Sequence, residues 1–123
     1  MRALRTLVLI AAAATLSACV SNRQVQAGID AYTLGDYETA AKELRAVEHE
    51  QVRLSDKGVV RYLVYRGLTY WHQGKKPEAV AFLKKGLEEL REGDPRWLSA
   101  DTIREMEEVL EKAGVVQPKG ANK

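Results

Sequence analysis

The sequence predicts an all-α protein, and three observations lead there. From Ser21 to Gly114 the apolar residues recur at helical spacing, and no run alternates as a half-buried strand would. Helical runs are followed by glycine at Gly35, Gly74 and Gly114, and two runs open on proline, at Pro77 and Pro95. The chain is also similar to itself at an offset of 39 residues: Gly28 falls on Gly67, Gly35 on Gly74, Ala40 on Ala79 and Leu44 on Leu83.

Five helices are expected, over residues 22–34, 38–53, 56–73, 77–91 and 95–113. Ser21 and Ser55 stand at plausible N-caps, and Asp94 before Pro95 is a better one, because its side chain accepts from an orphan N–H of the first turn. The 39-residue offset also brings Ile29 onto Leu68 and Tyr32 onto Trp71. Gly28 and Gly67 lie mid-helix, where glycine costs about 1 kcal/mol against alanine and implies close helix contact. Ala40 and Ala79 are the small partners expected to face them from the second helix of each pair. In the last helix Trp97, Ile103, Met106 and Leu110 are expected to seal the core, with Glu105, Glu107, Glu108 and Glu111 facing water. Residues 115–123 read as a polar tail.

The chain of 123 residues is enough for one domain, and 46% hydrophobic with 29% charged residues is a globular composition. The formal charge is +2, but Arg2 and Arg5 belong to an N-terminal segment expected to be removed. Without them 17 basic residues meet 17 acidic ones. That neutrality argues against nucleic-acid binding, since no basic excess remains for phosphate backbones or an anionic membrane surface. Cys19 is the one cysteine, so no intramolecular disulfide forms and the core alone must hold the fold. About 105 mature residues bury about two-thirds of their surface, which suffices if the helices pack well.

Residues 1–5 carry two positive charges and no acid, and residues 6–18 are uncharged and rich in Leu, Val, Ile and Ala. These are the basic and apolar regions of an export signal. Thirteen residues are too few to span a hydrocarbon core, which takes about 20 in a helix. The segment ends Leu16-Ser17-Ala18-Cys19, which resembles the lipobox of bacterial lipoproteins. The resemblance implies lipid transfer to the Cys19 sulfur, cleavage of residues 1–18, and acylation of the new amino terminus. Several acyl chains give stable anchoring, at about 0.8 kcal/mol per buried CH₂. No aspartate follows the cysteine, only Val20 and Ser21 as a short tether, so by resemblance the outer membrane of a Gram-negative envelope is favoured, with the domain facing the periplasm; in another envelope the lipid anchor would lie in the cell membrane.

The repeat, with Gly35-Asp36-Tyr37 as its turn, resembles the tetratricopeptide repeat, a helix-turn-helix unit of about 34 residues. Gly28, Ala40 and Leu44 fall on that family's small and apolar positions, as do Gly67, Tyr70, Gly74, Ala79 and Leu83 in the second unit. Gln24 and Ala31 depart from it where tryptophan and tyrosine are usual, and about five residues are added around residues 51–55. The resemblance implies a short α-solenoid over residues 22–114, of about two repeats plus a C-terminal capping helix. It further implies a concave groove lined by the first helix of each unit, at Val25, Ile29, Tyr32, Val64, Leu68, Trp71 and His72. Core packing is the alternative account of the aromatic stretch that contains Trp71, and Tyr62 and Tyr65 suggest packing on the previous unit. The family's carboxylate clamp is absent, because Val25 and Ile29 occupy its positions.

Catalytic and metal-binding patterns are missing. His49 and His72 lie 23 residues apart without ligand spacing, and there is no nucleophile elbow or phosphate-binding glycine loop. The acidic residues pattern as a solvated helix face, as at Glu38–Lys42 and Glu108–Lys112. The expectation is therefore a non-enzymatic adaptor without cofactor or metal. It would be tethered to a membrane through Cys19 and would recruit another envelope protein or an apolar or amphipathic segment of one. Small lipoproteins that resemble it serve in pilus or secretin assembly, in outer-membrane protein assembly or as scaffolds for cell-wall hydrolases. The alternative is a self-associating structural lipoprotein, a homo-oligomer paired through the open ends of a short solenoid.

Overall fold

The computed structural model describes residues 19–115, and among them there are helices and turns but no strand. The expected signal segment 1–18, its Leu16-Ser17-Ala18 motif included, and residues 116–123 of the expected tail lie outside the described residues. Five α-helices follow one another: α1 over residues 19–33, α2 Tyr37–Arg45, α3 Asp56–His72, α4 Lys76–Glu92 and α5 Ala100–Lys112. Two 3-10 helices, Glu48–Arg53 and Pro95–Trp97, join α2 to α3 and α4 to α5. No described helix is long and apolar enough to cross a membrane.

The two hairpins α1–α2 and α3–α4 turn in the same way. Gly35 and Gly74 both take φ +77°, a left-handed conformation that side chains resist. Asp36 N–H donates to Ala31 O at 2.9 Å, and Lys75 N–H to Tyr70 O at 2.9 Å, closing each helix with the same backbone bond. The residues that follow match as well, Asp36 at φ −86°, ψ 76° and Lys75 at φ −91°, ψ 72°. Behind each turn a glycine receives a leucine. A Cβ built on Gly28 would lie 2.6 Å from Leu44 Cγ, and one on Gly67 would lie 2.7 Å from Leu83 Cγ. The helix contact expected at these glycines is present, with the leucines as their close neighbours. Ala40 and Ala79 are fully buried, and the carbonyl of Ala79 comes within 3.1 Å of the Gly67 position.

The structure corrects three element boundaries. Residues 38–53 are not one helix: α2 stops at Arg45 and the chain tightens into the Glu48–Arg53 turn, kinked at Glu50. After Val47 the segment has no apolar stripe to bury. Its carboxylates instead tie it across the fold, Ser21 Oγ donating to Glu50 Oε2 at 2.7 Å and Glu48 lying 3.6 Å from Arg66 Nη2. Residues 95–113 are likewise broken, because Leu98 is extended and buried. Asp94 caps only the Pro95–Trp97 turn, and Ser99 caps α5 by accepting from Thr102 N–H. Ser21 is not a cap, since residues 19–21, where a short tether was expected, are already helical and Ser21 is buried. Ser55 does cap α3, accepting from Gly58 N–H at 3.1 Å.

Two apolar clusters fill the interior. Val25, Ile29, Leu44, Val47 and Leu54 pack with Tyr62 and Leu63 in the first hairpin's half. Val64, Leu68, Leu83 and Leu90 pack with Met106, Val109 and Leu110 in the other. Tyr62 thus packs on the preceding unit, and Tyr65 touches both clusters. Arg66 is buried beside them, donating to the hydroxyls of Tyr62 and Tyr70 with its guanidinium 4.7 Å from the Phe82 ring centroid. Its Nε has no hydrogen-bond partner.

Candidate functional site

Side chains from four helices converge at one open notch. Tyr32 comes from α1, Tyr65 and His72 from α3, Asp101 and Glu105 from α5, and Tyr37 from the start of α2. The cavity they line measures about 440 Å³. The local sequence explains the placement. The Gly35 turn throws Tyr37 back over the end of α1, and the Ser99 cap starts α5 so that Thr102 and Glu105 face α3.

Polar contacts knit the notch together. Tyr32 Oη donates to Glu105 Oε1 and lies 3.1 Å from His72 Nε2, which is itself 3.2 Å from Glu105 Oε1. Tyr37 stacks on the His72 imidazole with centroids 4.3 Å apart and planes 4° from parallel. Tyr32 meets Tyr65 edge-on at 5.4 Å, and Tyr65 Oη lies 3.0 Å from Thr102 Oγ1. Burial pushes the Tyr32 phenol far above its ordinary value, and the bond to Glu105 adds to the rise, so Tyr32 stays a hydrogen-bond donor.

Of the seven residues expected to line a groove, the structure brings two together. Tyr32 and His72 meet in the notch. Val25, Ile29, Val64 and Leu68 are core residues with no more than 6% of their surface exposed. Their helices pack against one another as well as against α2 and α4, which covers the apolar face a groove would have used. Trp71 is half-buried against the second cluster, its ring 5.5 Å from Lys76 Nζ, and does not line the notch. Cys19 is exposed.

Sequence reasoning missed Glu105, Tyr37 and Asp101. The helical period places Glu105 toward water with the other glutamates of its helix, yet it accepts from Tyr32 across 73 residues of chain. The available signal was an aromatic at the turn, Tyr37, beside two groove candidates that could hydrogen-bond. Ion pairs among the described residues also fall away from the four-apart pairs, for example at Arg96–Asp94 and Arg104–Asp101. A second depression, lined by Lys42, Arg45 and Lys75 beside α2, is basic. No group of His, Cys, Asp and Glu suited to a metal ion occurs among the described residues. No protein-family model, curated protein or solved structure matches this chain.

Proposed function

We propose that the chain is a membrane-tethered adaptor: a lipoprotein anchored through Cys19 whose short tetratricopeptide-like solenoid binds another protein of the cell envelope. The observation that carries this reading is the notch, built by α1, α3 and α5 together, the first helix of each unit in the repeat register. The equal turns at Gly35 and Gly74 and the equal glycine–leucine contacts behind them support the repeat assignment. A binding role also fits the histidine better than catalysis. His72 Nε2 already faces Glu105 and Tyr32, so it fastens α1 to α3 and α5 instead of waiting for a substrate proton. The lipobox resemblance supports the anchor and the periplasmic face of an outer membrane.

Metabolic acyl labelling with membrane fractionation tests the anchor. Cys19→Ala is expected to abolish labelling and leave the protein uncleaved or released; equal labelling and retention defeat it. Cross-linking of the lipidated protein in cells tests the adaptor role. A neighbour of different sequence supports it. Self-cross-links alone favour the second reading, a homo-oligomer. The cleft between Leu87, Arg91 and Leu110, open at the end of the stack, is the observation behind that alternative.

A further inference from the structure

We infer that the notch recognises a cationic side chain, lysine or arginine, of the partner protein. The inference rests on the adaptor reading and names the chemistry of its ligand. Asp101 and Glu105 line the notch, and no lysine or arginine does. The depression beside α2 sets Lys42, Arg45 and Lys75 against Glu38, and the cleft at the end of α4 balances Lys84 and Arg91 with Glu88 and Glu92. An acidic cleft at Trp97 has a smaller volume, about 260 Å³, and a single ring. Tyr32, Tyr37 and Tyr65 line the notch beside the carboxylates, and ring faces attract a cation within about 6 Å.

The carboxylates are placed to receive it. Both internal bonds to Glu105 fall on Oε1, so neither takes Oε2. Asp101 has 89% of its side chain exposed and is met by Arg104, three residues on, at 3.1 Å. An exposed pair of that kind contributes only tenths of a kcal/mol, so an incoming cation exchanges for Arg104 at small cost. Carboxylate and phenol oxygens accept N–H donors, which ammonium and guanidinium groups supply and a quaternary ammonium lacks.

The test uses the full chain, isotope-labelled, in a neutral maltoside detergent and followed by amide NMR. The probes are N-acetyl-arginine methylamide, its lysine and glutamine counterparts, and tetramethylammonium. The arginine and lysine probes are expected to shift Thr33, Tyr37 and residues 101–105, with a dissociation constant of the order of 1 mM. Glu105→Gln with Asp101→Asn should weaken that binding about fivefold while the remaining amide spectrum stays in place. Glu105→Gln alone keeps an acceptor for Tyr32, which separates lost charge from lost packing. Equal shifts from the glutamine probe overturn the inference, as does unchanged affinity in the double variant. Tighter binding of tetramethylammonium also overturns it and points to a lipid headgroup. If these probes fail while cells still yield a cross-linked partner, the adaptor reading stands and only the cation assignment falls.

Discussion

The two hairpins share a joint but not a length. In both, a glycine seven residues before the turn glycine receives a leucine from the returning helix, Gly28 with Leu44 and Gly67 with Leu83. Yet α2 has 9 residues and α4 has 17. The difference lies past the leucine. Leu83 is followed by Gly86, Leu87 and Leu90, an apolar face one to two turns long that packs on α3 and α5. Leu44 is followed by Val47 and then a polar run that cannot bury a face. A local glycine–leucine pair therefore sets how a hairpin closes, and the apolar period beyond it sets how far the helix continues. The last helix extends the comparison. α5 ends on the same left-handed glycine, Gly114 at φ +75°, but Glu107 stands seven residues before it, and no returning helix is seen among the described residues.

The largest expected effect breaks the shared joint. Leu44→Ala and Leu83→Ala should each cost about 2–5 kcal/mol in denaturant unfolding, because both leucines are fully buried against a glycine. A Leu44→Ala variant as stable as the parent would show that the first hairpin does not close as the second does.

Filling the glycines should cost less and should separate the hairpins. Gly67→Ala is expected to lose about 1–3 kcal/mol through overpacking. Gly28→Ala should lose less, since its close neighbour is a leucine side chain that can shift, whereas Gly67 also faces the backbone carbonyl of Ala79. Thermal melts giving the opposite order would contradict the geometry.

The smallest effect concerns pH. Burial raises the phenols of Tyr32 and Tyr62 above their ordinary value, so the folded state holds both protons where the unfolded chain releases them. Their contribution is complete below about pH 10 and declines above it. Tyr32→Phe should flatten that decline in an unfolding series; an unchanged slope would mean that Tyr32 titrates alike in both states.

The helices, both tight turns and the glycine contacts were legible because each leaves a local mark: apolar period, a glycine after the run, a glycine inside it. The breaks at Ala46 and Leu98 were not. Leu98 reads as helical by hydrophobicity, and the pull of Ser21 on Glu50 spans 29 residues. The notch was half legible. Tyr32 and His72 stand among the positions that the repeat resemblance implies for a groove, whereas Glu105 looks like its solvated neighbours until α5 is docked. The apolar positions of the expected groove were not legible as core, because the same apolar helical period marks a groove-facing and a core-facing position. Here the few helices close on one another and bury Val25, Ile29, Val64 and Leu68.

The most direct measurement compares two faces of the same molecule in the cell. A photo-cross-linking amino acid is placed at Asp101, on the rim of the notch, and in a separate variant at Lys42, in the basic depression beside α2. The account predicts an adduct with a protein of different sequence from position 101 and none of that mass from position 42. Adducts from position 42 alone, or only self-adducts from position 101, would contradict it.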